Sequence, residues 1–296
     1  MPSVIETQDL RKNYGTHHAV RGLNLHVPAG SICAFLGQNG AGKSSTLRML
    51  LGMARPTSGT GHIFGLRIDN EQDSLKIRQR AAFVAEDKRL YDYMTVAQII
   101  RFTRSFFPNW RSDLEARLLD QFELPLDRKI RKLSKGMRTK LALLLGFARG
   151  SELLILDEPT EGLDPVAIEE VLQIIVSLVL DGATIFFSSH QIAEVEQIAD
   201  HVLMIHRGQL VLDAPMDQVK EQYRHVQAVF PDFVSEQDFR LPGVERVSAD
   251  GRIVTLVASC NVDAIVSHAH RMHADSVDVL PISLKEIFLE KVRAGK

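Results

Sequence analysis

Short apolar runs alternate with amphipathic stretches along most of the chain. Leu23, Leu25 and Val27 alternate with polar residues, the period of a half-buried strand, and Pro28-Ala29-Gly30 then turns the chain. Ser31-Ile32-Cys33-Ala34-Phe35-Leu36 is a compact apolar run, which predicts a buried strand. A glycine-rich stretch follows, and residues 44–51 then read as a helix. Residues 81–85, 153–156 and 184–187 read as further short strands, and 167–180, after Asp164-Pro165, as a helix. Strands alternating with helices predict an α/β fold on a mainly parallel sheet covered on both faces.

Two regions break the alternation. Residues 95–150 read as consecutive helices punctuated by Pro108-Asn109-Trp110 and by Pro125, a helical subdomain over about 90–150. Beyond Tyr223 the pattern changes to short strands (226–230, 252–257) with helices near 261–270 and 283–292. The expected organisation is one domain over 1–222 and a small α+β appendage over 223–296.

Composition narrows the class. Of 296 residues, 45% are apolar, enough for a large core, and 35 Lys+Arg against 37 Asp+Glu leave a formal charge of −2. That balance lacks the basic excess of a protein that grips phosphate backbones, so no nucleic-acid partner is expected. Cys33 and Cys260 lie far apart, and the start Met1-Pro2-Ser3-Val4-Ile5-Glu6 shows no basic-then-apolar leader, so neither a signal peptide nor a disulfide framework is expected. The longest apolar stretch, 171–180, is ten residues broken by Gln173 and Ser177. Crossing a bilayer takes about 20 such residues. These bounds predict a soluble, cytoplasmic protein.

Gly37-Gln38-Asn39-Gly40-Ala41-Gly42-Lys43-Ser44, with Ser45 behind it, fits G-x-x-x-x-G-K-[ST] between a predicted strand and helix. The glycines let backbone N–H groups turn inward on an anion, and the helix presents its positive end to the same anion. Lys43 is expected to reach the β- and γ-phosphates of a nucleoside triphosphate, and the Ser44 hydroxyl to hold Mg²⁺. This cradle alone leaves kinases, GTPases, motor ATPases and transporters open.

The strand 153–156 runs into Asp157 and Glu158. Ligands of open parallel sheets sit at the carboxyl ends of strands, so both acids should emerge beside the cradle. Side chains alternate along a strand, so the two divide the work: Asp157 suits the Mg²⁺ shell and Glu158 the attacking water. Ser188-Ser189-His190 ends the next strand, which places His190 as a γ-phosphate sensor that also holds the water and Glu158 in line.

Leu133-Ser134-Lys135-Gly136-Met137, with Ser134 lying 23 residues before Asp157, resembles the signature of ATP-binding-cassette (ABC) proteins, usually written L-S-G-G-Q. Glu158-Pro159-Thr160-Glu161-Gly162-Leu163-Asp164-Pro165 resembles the same family's Walker B exit and D-loop, and Ala85-Glu86 stands where its Q-loop begins. Over residues 4–222 the chain is similar to the nucleotide-binding subunit of ABC transporters. The resemblance implies a P-loop core with an added antiparallel β region, ATP and Mg²⁺ as ligands, and ATPase activity. It implies an adenine stack on Tyr14, and a metal shell of Ser44, Glu86 and Asp157. It further implies that Ser134, Lys135, Gly136 and Met137, with Asp164, meet ATP held by a second subunit, in a head-to-tail homodimer or paralogous heterodimer. From the residues alone, Ser134 stands at a helix N-cap position, where its hydroxyl, the Gly136 N–H and the helix's positive end make a second anion site.

Lys135, Met137, Glu86 and Glu161 depart from the commonest family letters. The Lys-Gly-Met form resembles exporters of the type-two drug, antibiotic and polysaccharide class. That resemblance implies a separate membrane permease as partner and a place on the inner face of the cell membrane. Lys88 to Met94, Phe102, Phe106, Phe107 and Trp110 either receive a permease helix or pack the helical subdomain. His268, His270 and His273 lie near Asp263, Asp275 and Asp278 but read as a solvated face rather than a metal spacing. The residues 283–290 read as an amphipathic helix with Leu284, Ile287 and Phe288 on one side. A soluble ABC ATPase acting on ribosomes or DNA is the rival reading. Against it stand a single cradle and only 91 residues from Lys43 to Ser134, with no sustained heptads. A non-hydrolysing regulatory module would be expected to lack Glu158 or His190.

Overall fold

The apolar run after Gly30 folds as a strand, Ile32–Leu36, in which all five side chains are buried. In this computed structural model, which describes residues 2–294, the chain divides into two compact units between Leu210 and Val211. The first unit opens with β1 (Ser3–Tyr14), β2 (His17–Leu23), β3 (His26–Pro28), β4 (Ile32–Leu36), α1 (Lys43–Leu50), β5 (Ser58–Ile63) and β6 (Leu66–Arg67). It continues through α2 (Glu71–Arg80), β7 (Ala81–Val84), α3 (Val96–Arg104), α4 (Ser112–Gln121) and α5 (Lys135–Phe147). It closes with β8 (Leu153–Asp157), α6 (Pro165–Leu180), β9 (Thr184–Ser189), α7 (Ile192–Ile198) and β10 (His201–His206).

β10, β4, β9, β8 and β7 lie side by side in that order, and every pair among them is parallel. Leu36 pairs with Ser189 and Met204, Asp157 with Ser188, and Val84 with Leu156, so the strands' carboxyl ends finish flush on one edge. α5 packs on β7, α6 on β9 and α7 on β4. On the other face Phe35, Ile155, Phe186 and Leu203 share a core with Leu47 and Leu50 of α1 and with Ile5, Leu10, Leu23 and Ile63. The last four belong to an antiparallel sheet of β1, β2, β3, β5 and β6. Covered on both faces, the parallel strands read as unbroken apolar runs.

The alternation over residues 23–27 is two strands rather than one. The Thr7 hydroxyl donates to the Leu23 carbonyl (2.9 Å) and accepts from the Leu25 N–H (2.8 Å), bridging the gap between β2 and β3. β1 escapes sequence reading because its register shifts between Gln8 and Arg11, where Asp9 turns to φ 47°. Gly59 faces this bulge, and a Cβ there would stand 2.1 Å from the Asp9 carbonyl oxygen.

Between β7 and β8 the regular elements are helices joined by loops, with an isolated bridge, Thr95–Lys129. Thr95 and Gln98 make a capping box at the start of α3. Ser134 caps α5 by accepting from the Met137 N–H at 3.1 Å, as its sequence context predicts.

β11 (Gln209–Pro215) carries the chain across the division into the second unit. There α8 (Met216–Gln222), β12 (Arg224–Val229), β13 (Val244–Asp250), β14 (Ile253–Ala258), α9 (Val262–Arg271), β15 (Ser276–Pro281) and α10 (Leu284–Ala294) follow. The sheet runs β13-β14-β12-β15, antiparallel throughout, over a core of Val226, Phe230, Phe239, Leu256 and Ile265. β13 and β15 are edge strands whose side chains are mostly exposed or half-buried, so they carry no readable alternation. His268 lies 2.9 Å from the Asp238 carbonyl oxygen with its ring edge-on to Phe239. Among the described residues no three His, Cys, Asp or Glu side chains converge on a metal-sized gap, there or elsewhere. α10 buries Leu284, Ile287 and Phe288, the side expected from its period.

Candidate active site

The loop from β4 to α1 is shaped by glycine. Gly42 adopts φ 112°, and a Cβ on it would sit 2.4 Å from the Ala19 carbonyl oxygen. No side chain caps α1, so its first N–H groups remain available to an anion. The Lys43 ammonium donates to the Gly37 carbonyl at 2.6 Å and pairs with Glu158 Oε1 at 3.2 Å. Both side chains of that pair are less than a tenth exposed.

At the flush edge β8 ends on Asp157, so a turn rather than strand alternation separates the two adjacent acids. Asp157 Oδ1 accepts from the Ser188 hydroxyl at 2.5 Å, while Glu158 turns into the left-handed region at φ 48°. Glu158 Oε2 lies 2.9 Å from His190 Nδ1, completing an unbroken line Lys43–Glu158–His190. The Lys88 ammonium donates to the Glu158 carbonyl oxygen at 2.8 Å, and burial pushes Lys88 below the ordinary lysine value.

Tyr14, Gln38, Asn39, Gly40, Gly42, Lys43, Ser44, Ser45, Glu86, Glu158 and His190 line one cleft of about 620 Å³, together with His17, Ala19 and Glu161. Gly37, Ala41 and Asp157 are not part of its lining. The signature residues Ser134, Lys135, Gly136 and Met137 also stand off it, as does Asp164, whose carboxylate caps α6 by accepting from the Val166 and Ala167 N–H groups. Lys135 reaches Glu161 at 2.6 Å, and this hydrogen bond holds the Glu161 carboxyl below the usual carboxylate range. Two of the four departures from the family letters, Lys135 and Glu161, are thus partners of one another. Ser44, Glu86 and Asp157 offer only oxygen donors, the set a hard divalent cation takes.

Sequence reading missed Glu194. Its carboxylate is 4% exposed and accepts through Oε2 from Thr160 (2.8 Å) and Ser189 (3.3 Å), tying the Glu158 exit to the base of His190. Nothing local marks it beyond an acid beside Val195, which is fully buried. Burial raises the Glu194 carboxyl above its ordinary value. A raised carboxyl binds its proton more tightly folded than unfolded, so its contribution is complete at acid pH and is lost as pH rises through the raised value. Glu194→Gln keeps an acceptor and removes the charge. Thermal unfolding across a pH series should show the variant gaining on the wild type as pH climbs above the usual carboxylate range; a difference independent of pH would contradict this.

The aromatic segment divides. Tyr91, Tyr93, Phe102 and Phe106 are exposed and touch ring to ring, with centroids 5.9, 5.8 and 5.0 Å apart for Tyr91–Tyr93, Tyr91–Phe102 and Phe102–Phe106. Phe107 instead lies under the Arg149 guanidinium (3.9 Å), and Trp110 donates to Glu115 (2.6 Å), so these two pack the helical subdomain. Lys88, read with this segment from sequence, points inward to Glu158.

Comparison with known proteins bears on the whole arrangement. The family model for the ABC transporter matches residues 20–161. The bacitracin transport ATP-binding protein BcrA of Bacillus licheniformis is 38% identical over 227 residues, covering 76% of this chain and 74% of its own. The ABC transporter ATP-binding protein YtrB of Bacillus subtilis (strain 168) is 27% identical over 289 residues, 97% of this chain and 98% of its own, so that likeness runs through the second unit. A solved structure of an ATP-binding subunit of an ABC transporter superposes with a TM-score of 0.68 at 29% identity, covering 74% of this chain and 93% of that one. Kinship by sequence and by fold agree, and the chain belongs to the ABC transporter family as an ATP-binding subunit with ATPase activity.

Proposed function

We propose that this ATPase powers a separate membrane permease, in the direction of export, by closing head to tail with a second cassette when ATP is bound. One observation carries the reading. The cleft holds Lys43, Glu158 and His190 in line, while the Ser134-capped start of α5, the second anion site, lies off it. In this reading another chain, either an identical copy or a paralogue, brings that second site to the γ-phosphate held in the cleft.

In this reading Tyr14 stacks on adenine, the 37–45 loop wraps the phosphates, and Lys43 exchanges the Gly37 carbonyl for phosphate oxygens. Ser44, Asp157 and Glu86 would hold Mg²⁺, which would supply positive charge against the phosphate oxygens. Glu158 polarises the attacking water and takes up its proton as the water oxygen bonds to the γ-phosphorus and the bond to the bridging oxygen breaks, which releases ADP and phosphate, while His190 keeps Glu158 and the γ-phosphate in register. The Ser134 hydroxyl accepts from Met137 and so still has its own proton to donate across the dimer, beside the Gly136 N–H, Lys135 and Met137. Asp164 fixes the end of the D-loop at α6.

Among the described residues no helix is long and apolar enough to cross a membrane, so the reading assigns the pore to another chain and this one to the membrane's inner face. The exposed rings of Tyr91, Tyr93, Phe102 and Phe106 are the seat offered to that permease. BcrA's name as a bacitracin transport protein favours a transporter over the ribosome- or DNA-directed ATPases. Isolation of the tagged chain from native membranes in mild detergent should recover a stoichiometric multi-span protein. Ribosomes or DNA-processing proteins in its place would overturn the transporter reading.

A further inference from the structure

Lys88 enters the site from the loop that leaves β7, two residues beyond Glu86. Its backbone adopts φ 39°, and its side chain runs inward to Glu158. The ammonium reaches the carbonyl oxygen of Glu158, which accepts from Lys88 at 2.8 Å and from the Glu161 N–H at 3.3 Å. Glu158 is itself a non-glycine residue in the left-handed region, at φ 48°. Such a conformation persists only where its surroundings over-determine it. On its amide side Glu158 is held by Ser188; on its carbonyl side the charge-assisted bond from Lys88 is the shorter of the two contacts.

The same loop is tied at its far end. Asp92 pairs with Arg138 of α5 at 3.1 Å, and the Arg131 and Ile130 N–H groups donate to the Asp92 and Met94 carbonyls. Between these anchors lie the exposed rings of Tyr91 and Tyr93.

We infer that Lys88 is a positioning residue for ATP hydrolysis: by holding the Glu158 carbonyl it fixes the left-handed turn that aims the Glu158 carboxylate between Lys43 and His190. The inference rests on the reading of Glu158 as the residue that polarises water. The chemistry asks for a cationic donor of this reach. Methionine matches its length without donating, and arginine keeps both charge and donor.

Steady-state ATPase kinetics of the full chain test it, with Lys88→Met, Lys88→Arg and Glu158→Gln side by side. Lys88→Met should lower kcat on the order of 10- to 100-fold with KM for ATP within about twofold, the pattern of a group that acts on the chemical step. Lys88→Arg should restore kcat to within roughly threefold of the wild type. Lys88→Gln, a neutral donor, is measured as well and should fall between them, which keeps the test decisive if the methionine variant does not fold cooperatively. Wild-type kcat in Lys88→Met, or in Lys88→Gln a loss carried by KM alone, would overturn the inference. So would an arginine variant as slow as the methionine one. If Glu158→Gln abolishes turnover while Lys88→Met leaves it intact, the role of Glu158 stands and that of Lys88 falls. Full turnover in Glu158→Gln would instead remove the reading on which the inference rests.

Discussion

Replacing Glu158 by glutamine is expected to lower ATP turnover by roughly 10²–10⁴-fold while ATP still binds. The amide keeps the size of the side chain and a contact for His190 Nδ1 but loses the basic oxygen. It also removes one of three carboxylates, Glu86, Glu158 and Glu161, that line the cleft, so the phosphates meet less repulsion. Binding should therefore be retained or tightened, and the head-to-tail dimer should accumulate under saturating MgATP because hydrolysis no longer reopens it. Without nucleotide the variant leaves the buried Lys43 ammonium without its charge partner, so its gain in thermal stability on adding ATP should exceed that of the wild type. Turnover within tenfold of the wild type would contradict the assignment of Glu158, and a strictly monomeric variant would contradict a homodimer.

The second large effect concerns the other end of that pair. Lys43→Met should weaken ATP binding by about 10²-fold or more, since the phosphates lose their only buried ammonium among the cleft-lining residues. It should also destabilise the chain by about 3–5 kcal/mol, because Glu158, 6% exposed, is left as a buried charge with only the partly exposed His190 beside it. Adding Glu158→Gln to Lys43→Met removes that orphaned charge. The double variant should regain most of the lost stability in denaturant unfolding, yet neither bind ATP tightly nor turn it over. Additive losses in the double variant would show that the 3.2 Å contact carries no energetic coupling.

Much of this site was legible along the chain because its signals are local. The glycines of 37–42 must curl a backbone around an anion, and the structure gives Gly42 a conformation and a neighbour that exclude any side chain. The runs 32–36, 153–156 and 185–187 are apolar throughout because both sheet faces are covered. Ser134 and Asp164 stand directly before their helices and cap them. What stayed hidden depended on contacts between distant segments. β1 lost its pattern to a bulge at Asp9, and β13 and β15 to their place at sheet edges, where few side chains are buried.

By itself, then, the sequence determined the phosphate loop, the strand-end acids, the capped helices and the kind of fold that joins them, because each follows from turn chemistry or from periodicity within about ten residues. Only the tertiary structure decided that Glu158 lies between Lys43 and His190, that the signature stands off the cleft, and that Lys135 answers Glu161. It alone turned Lys88 inward to the Glu158 carbonyl and buried Glu194 between Thr160 and Ser189. Those relations join residues up to 115 positions apart, as Lys43 and Glu158 are, and are set by which strand ends the parallel register brings level. No local pattern encodes that registration, since it is fixed by packing across the sheet rather than along the chain.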